Sequence, residues 1–376
     1  MRWNAISGEC VSEGFAHVGA DTSVRHRIEW IDVSKALLIS LMVLAHAGVP
    51  DLLRKAICSF HMPAFFFLSG YLFRPQKASR IVLPFVLPVL VFSSVFFLEQ
   101  IVLATFFGTG DPFVGVHGAA ELLRRSAVGF VRTGMPGDEF RPVSLFVGFW
   151  FLVALVGARL VLSLPYCSRH WKVVGLLCLL FLASRDSWDG LLFHLHVFKA
   201  IPAITFLVCG MVAREKAWAP GRSRFWKLFL LAVCWGVSLK LNWDVKNVDI
   251  SSNVYGKVNY LVFFIGAICG SLLCFEICSF LRAGCIVRLM SSGTLVVMGL
   301  HWPVFRLVRP VVRGLHLPGK LPKAIALALP TLAICCLLIF LFERWCPVLL
   351  GKGKHRFPAA KDSSPSGMSG PVGTNQ

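Results

Sequence analysis

Charged residues are scarce in this chain, and their scarcity excludes the ordinary class of soluble globular proteins. Only 15% of the 376 residues are Asp, Glu, Lys or Arg, whereas 56% are hydrophobic and the mean hydropathy is +0.71. Soluble domains average about 25% charged and about 45–50% apolar residues. Apolar runs near 20 residues recur along the chain and match the thickness of a bilayer. Because backbone groups in lipid must bond internally, we predict that these runs are membrane-spanning helices.

Acidic residues are scarcer than basic ones, with 19 Asp and Glu against 38 Lys and Arg and a formal net charge of +19. The basic residues are spread over short loops rather than gathered in one stripe, which gives no support to nucleic-acid binding. Two interpretations stay open. The loop cations set the topology and contact anionic membrane lipids, or some of them hold a polyanionic substrate.

Metal-binding spacings are also absent. The chain has 13 cysteines, but it contains no CxxC pair and no Cys/His spacing typical of a zinc site. Most of the cysteines fall inside apolar runs, which favours the interpretation that they serve as small buried hydrophobic residues. We therefore expect no metal.

The runs predict an all-α polytopic membrane protein with about ten transmembrane helices in one bundle. Residues 1–30 are predicted to be a cytoplasmic tail, residues 31–346 the membrane domain, and residues 347–376 a disordered cytoplasmic tail. A weak bias of Lys and Arg favours cytoplasmic termini. The long connection at 108–142 is predicted to cap a site as a surface or re-entrant helix. The spans are expected at about 31–50, 57–73, 81–107, 143–164, 171–184, 200–213, 225–241, 257–281, 287–308 and 322–345.

The first predicted span carries ionisable residues where a lipid-facing helix would have none. It contains Asp32, Lys35 and His46. An ionisable group inside a membrane helix is costly and indicates a functional site by default. Lys35 and His46 are eleven positions apart, so they share one helix face with about 20° of drift and roughly 16 Å of separation along the axis.

Two more histidines are expected at the depth of His46. With the N-terminus inside, His61 lies near the outer end of the second span, and His301 lies roughly 20 Å up the ninth. Each could be a satisfied core imidazole. Together they favour an alternative in which an imidazole acts as general base on a sugar hydroxyl. Metal binding by the three histidines has weaker support, because no Asp or Glu accompanies them at ligand spacing.

Three cations gather at the predicted inner end of the third span: Arg74, Lys77 and Arg80. One interpretation is that they anchor the helix at the cytoplasmic surface. The other is that they clamp phosphate groups, which Arg can bind through two parallel hydrogen bonds.

The chain resembles the membrane acyltransferase-3 family, and within it the fucose 4-O-acetylase-like branch. The matching features are EWIDVSK with Lys35 and His46, the run FHMPAFFFLSGYLF, and a basic-x-x-basic motif from Lys77 to Arg80. Weaker echoes are WFL at 150–152, the CG pair ending at Gly210, and GLHWPVF around His301. Within this branch the chain resembles the nodulation-factor fucose acetylases of rhizobia, and other bacterial polysaccharide acetylases fit nearly as well.

The resemblance implies a bacterial inner-membrane O-acetyltransferase. The donor would be acetyl-CoA, and the acceptor a hydroxyl of fucose or a similar sugar in a cell-surface or secreted glycan or lipo-oligosaccharide. His46 would be the base or acyl carrier, and Lys35, Lys77 and Arg80 would contact the donor. Lys35 and Lys77 stand at positions where Arg is common in the family. Lys offers a point charge, whereas the guanidinium of Arg can donate two parallel hydrogen bonds.

Two other functions remain possible from the residues. A transporter or exporter of a lipid-linked glycan would also need buried charges, but such proteins often carry internal repeats, and neither HMPxFFFLSG nor the Lys–His helix recurs. A structural subunit of an envelope complex would not require histidines at one depth.

Overall fold

The protein is described here by a computed structural model, in which residues 28–106, 149–184, 196–221, 225–242, 250, 255 and 259–350 are described. Every regular element in these ranges is helical, which confirms the all-α prediction. Two 3₁₀ turns, His196–Lys199 and Pro347–Leu350, accompany the α-helices. The α-helices are α1 Glu29–His46, α2 Asp51–Cys58, α3 His61–Tyr71, α4 Ala78–Phe106, α5 Trp150–Ser163, α6 Pro165–Arg169, α7 Trp171–Ala183, α8 Ala200–Glu215, α9 Phe225–Leu241, α10 Tyr260–Ser279, α11 Cys285–Ser292, α12 Thr294–Gly314 and α13 Lys320–Trp345.

Four of the described helices are long and apolar enough to cross a membrane. They are α4, over Ala78–Val95, and α10, α12 and α13 along their whole lengths. Helices α5 and α7 are apolar but shorter. Large apolar side chains on several helices are exposed, including Leu98 on α4 and Leu329 on α13. The chain is therefore built for a membrane, and the total of about ten spans stays a prediction.

Two of the predicted spans differ in their boundaries. The connection predicted before the second span forms a short amphipathic helix, α2, and the helix of that span, α3, begins only at His61. The ninth breaks at Gly293, between α11 and α12.

Helices α3 and α8 approach each other more closely than side chains normally permit. A Cβ atom added to Gly70 would lie 2.0 Å from the carbonyl oxygen of Leu207, and one added to Gly210 would lie 2.0 Å from that of Phe67. Only glycine fits where two helix backbones come this near, as is common in membrane helix packing. This contact holds α3 firmly against the centre of the bundle.

Helices α1 and α12 run in the same direction. Ser291, just before α12, donates a hydrogen bond to Asp32 in the first turn of α1. At the other end of α1, His46 lies beside His301 of α12. Positions on α12 beyond His301 therefore extend past the end of α1.

Several predictions fall outside the described residues. They are the tail before residue 28, the connection at 108–142 and the tail after residue 350.

Candidate active site

His46 is the last residue of α1 and its side chain is exposed. Its Nδ1 atom lies 3.2 Å from the sulfur of Met42, one turn earlier on the same helix. A thioether sulfur has no proton to donate, so this contact assigns the hydrogen to Nδ1. The Nε2 atom of His46 is then the nitrogen that can accept a proton from a substrate.

His301 lies in the middle of α12 and is only 1% exposed. Its Nδ1 atom is 3.0 Å from the carbonyl oxygens of both Val297 and Met298, so Nδ1 carries the hydrogen here as well. Its Nε2 atom is buried and has no hydrogen-bond partner among the described residues. A buried polar atom without a partner is costly and rare in a folded protein, which makes this nitrogen a candidate for contact with a ligand.

The rings of His46 and His301 stack on each other. Their centroids are 5.3 Å apart and their planes differ by 24°. An exposed imidazole thus lies over a buried one, at the end of α1. Because two imidazolium cations this close would repel each other, the pair favours at most one bound proton.

His61 begins α3 and is 5% exposed. Its Nδ1 atom lies 2.9 Å from the carbonyl oxygen of Ile57. His61 and Arg54 are both close enough to His46 to interact with it electrostatically. The structure thus brings all three predicted histidines to one end of the bundle, while their chemical roles stay predictions.

Trp302 belongs to the same cluster, and the sequence reasoning did not single it out. Its ring centroid is 5.4 Å from that of His46 and 5.6 Å from that of His301. Phe305 packs edge-on against both His301 and Trp302. The GLHWPVF motif contained this tryptophan, but only the stacking of His46 against α12 gives it a place in the site.

The predicted donor-side cations lie at the opposite end of α3. Arg74 and Lys77 are exposed on the connection between α3 and α4, and Arg80 is exposed in the first turn of α4. These three residues form the cationic segment, and α3 separates it from His61 by roughly 16 Å. No side-chain hydrogen bond or ion pair engages these three within the described part of the chain. Lys35 lies half-buried on α1 and has interactions of its own.

Two further arginines approach the start of this cationic segment. Arg214 of α8 donates a hydrogen bond of 2.7 Å to the carbonyl oxygen of Phe73. Arg159 of α5 places its guanidinium 5.9 Å from the centre of the Phe73 ring, and its buried Nε atom has no partner among the described residues. Sequence reasoning missed both, although a charge inside the apolar run of α5 was a signal of the kind that drew attention to Lys35.

Among the residues that the structure describes, no group of three or more His, Cys, Asp or Glu side chains is arranged to hold a metal ion. The three histidines therefore meet in a geometry other than that of a ligand set. Their contacts are with a sulfur atom, with backbone carbonyls and with aromatic rings.

Comparison with known proteins identifies the family. The family model described as an acyltransferase domain, that of the acyltransferase-3 family, matches residues 28–340. The chain therefore belongs to the acyltransferase-3 family and is a membrane acyltransferase. No curated protein and no solved structure matches the chain.

Proposed function

We propose that this protein is an integral membrane O-acetyltransferase. It moves an acetyl group from acetyl-CoA to a sugar hydroxyl of a cell-surface or secreted glycan or lipo-oligosaccharide. The observation that carries the proposal is the stacked pair at the end of α1, in which the accessible His46 lies over the buried His301. An accessible imidazole with a proton-accepting nitrogen is suited to activating an alcohol.

The reaction that fits this arrangement is a direct transfer. His46 Nε2 takes the proton from the acceptor hydroxyl, whose oxygen attacks the carbonyl carbon of the thioester. A new C–O bond forms, the C–S bond breaks, and the coenzyme leaves as a thiol after the proton passes from His46 to its sulfur. His301 Nε2, buried and unpartnered among the described residues, accepts a hydrogen bond from the acceptor and orients it.

The cationic segment after α3 supplies the donor end of this proposal. Arg74, Lys77 and Arg80 bind the phosphates of the coenzyme, and Lys35 contributes a further cation from α1. The pantetheine arm then extends along α3, over roughly 16 Å, towards the histidines. Exposed cations without side-chain partners in the described ranges are suited to binding a polyanion.

The acceptor and the location are proposed from the resemblance to the fucose 4-O-acetylase-like branch. Fucose is accordingly the first acceptor sugar to test, and a nodulation factor is the first lipo-oligosaccharide. The proposed location is a bacterial inner membrane with both termini in the cytoplasm, so that the α3–α4 segment faces the pool of acetyl-CoA.

The test compares the glycans of a deletion strain that carries the wild type, His46→Ala or His170→Ala. His170 is an exposed histidine between α6 and α7 and serves as the matched control. All three proteins must first reach the membrane in equal amounts. Mass spectrometry should show acetylated glycan with the wild type and with His170→Ala, and a loss of about 10²–10⁴-fold with His46→Ala.

Two outcomes would overturn the proposal. If His46→Ala restores full acetylation, His46 is not the base. If glycan acetylation never changes but the amount of exported glycan falls with the deletion, the protein serves export rather than transfer.

A further inference from the structure

Helices α4 and α12 run side by side in register. Phe92 of α4 packs against Gly299 of α12, where an added Cβ atom would lie 2.6 Å from the phenyl ring. Seven residues further along each helix, Arg306 of α12 pairs with Glu99 of α4. Seven residues are close to two full turns, so the same faces meet again. The close contact at Gly299 thus fixes the register of the two helices that brings Arg306 beside Glu99.

This ion pair lies beyond the histidines along α12, past the end of α1. Arg306 is five residues past His301, or roughly 7.5 Å further along α12, and α1 ends at His46. The side chains of Arg306 and Glu99 are 15% and 21% exposed, so both are reachable rather than sealed in a core.

Trp302 connects the ion pair to the histidines. It lies one turn before Arg306 on the same face of α12, and its half-buried ring is 5.4 Å from the ring of His46. An aromatic ring, a carboxylate and a guanidinium therefore lie close together beyond the end of α1, with the aromatic ring nearest to His46.

A contribution to the stability of the fold is a weak explanation for the presence of Glu99 and Arg306 at these positions. Exposed ion pairs contribute only about 0–1 kcal/mol, and even a buried pair can often be replaced by apolar residues without loss of stability. Charged residues within membrane helices more often mark a substrate pathway. The chemistry of this group matches a sugar, because a pyranose has an apolar C–H face that stacks on indole. Its adjacent hydroxyls can bond a carboxylate and a guanidinium in pairs.

We infer that Trp302, Glu99 and Arg306 form the acceptor subsite and that it binds a pyranose ring with adjacent hydroxyls. The inference rests on the proposed function, since it names where the acceptor of that reaction binds. A ring stacked on Trp302 has a hydroxyl within reach of His46, because the indole and imidazole centroids are 5.4 Å apart. The ion pair selects sugars over simple alcohols, while His46 carries out the chemistry.

The test uses the full-length protein in lipid nanodiscs with acetyl-CoA as donor. Two acceptor probes are compared: methyl fucoside, which has adjacent hydroxyls, and cyclohexylmethanol, which has one hydroxyl. The variants are Trp302→Leu and the double change Glu99→Leu with Arg306→Leu, which leaves neither charge without its partner. Controls are Trp345→Leu and Arg313→Gln, an exposed tryptophan at the end of α13 and an exposed arginine two turns beyond Arg306.

Trp302→Leu should raise KM for methyl fucoside about tenfold. In the double variant, the ratio of kcat/KM for methyl fucoside to kcat/KM for cyclohexylmethanol should fall close to one. The dissociation constant of coenzyme A, measured by calorimetry, should change less than twofold in either variant. The two control variants should keep wild-type kinetics.

The outcomes separate this inference from the proposed function. If the wild type acetylates methyl fucoside but both variants keep its KM and its acceptor preference, the subsite is wrong and the transferase proposal stands. If coenzyme A binding weakens together with the acceptor, the three residues support the fold rather than the acceptor, and the inference fails. If the wild type acetylates no hydroxyl acceptor, the proposed function fails and the subsite fails with it.

Discussion

The imidazole of His301 lies beneath that of His46 at a centroid distance of 5.3 Å. At this spacing, a charge on residue 301 strongly affects whether His46 can take up a proton. Two unit charges at that distance repel by about 3 kcal/mol in a medium with an effective dielectric constant of about 20. A permanent cation beneath His46 would therefore oppose the protonation that a general base requires.

Position 301 accordingly tests the proposed mechanism through two substitutions. We expect His301→Gln to lower kcat about tenfold, because the amide can still hydrogen-bond the acceptor, and His301→Arg to lower it about 10²-fold or more through charge repulsion. The measurement is the rate of acetyl transfer at saturating acetyl-CoA. Equal losses in the two variants would show that charge at this position does not act on His46.

Removing a charge from the cationic segment after α3 should weaken the binding of acetyl-CoA. Arg80→Gln should raise KM for acetyl-CoA about 10- to 100-fold, because a charge-assisted hydrogen bond to a phosphate contributes about 1.5–3 kcal/mol. Arg80→Lys should retain part of the affinity, since the charge stays but the fork is lost. Arg169→Gln, at an exposed arginine ending α6, is the matched control. A normal KM in Arg80→Gln would remove Arg80 from the donor site.

The ion pair between Lys227 and Glu276 predicts a loss of stability. The Lys227 ammonium lies 2.7 Å from the carboxylate of Glu276, whose side chain has no exposed surface. Lys227→Ala leaves that carboxylate buried without its cation, and we expect a loss of about 2 kcal/mol. This is below the about 3–5 kcal/mol of a fully buried pair, because Lys227 itself is 43% exposed.

The matched control is Lys172→Ala, which breaks an exposed pair with Glu215 whose side chains are 59% and 51% exposed. Exposed pairs contribute about 0–1 kcal/mol. Thermal unfolding of the purified proteins in detergent should place the midpoint of Lys227→Ala clearly below that of Lys172→Ala. Identical midpoints would contradict the role of the buried carboxylate.

The close contact of α3 and α8 predicts opposite effects for two glycine substitutions. Gly70→Ala should destabilise the protein by about 1–3 kcal/mol or more, because the new Cβ would lie 2.0 Å from a backbone oxygen that cannot move aside. Gly236→Ala in α9 should stabilise it by about 0.5–1 kcal/mol, since nothing lies within 4 Å of its Cβ position. Thermal midpoints in detergent measure both. A stable Gly70→Ala protein would mean that the two helices can separate without cost.

The helical class and the candidate residues were accessible from the sequence for different reasons. Apolar runs near 20 residues indicate that these segments lie in lipid, where the backbone must bond internally, so helices were predictable along the chain. His46 stood out because an imidazole in such a run is costly. The short helix α2 before His61 and the break at Gly293 were missed, since a break of one or two residues changes local geometry without changing hydropathy.

Contacts between distant segments could not be predicted in the same way. Trp302 and Phe305 are ordinary apolar residues in the sequence, and His46 joins them and His301 only because α12 lies beside α1. Arg159 and Arg214 converge on Phe73 from two other helices, and their linear separation from it conceals that approach.

The sequence by itself determined that this chain is a helical membrane protein of the acyltransferase-3 family, because hydropathy and short motifs are local properties of the chain. Only the tertiary structure decided that His46 stacks on His301, that Arg306 meets Glu99, and that the ring of Trp302 lies 5.4 Å from that of His46. Those relationships follow from how helices pack, at positions such as Gly299 where the absence of a side chain lets two helices touch.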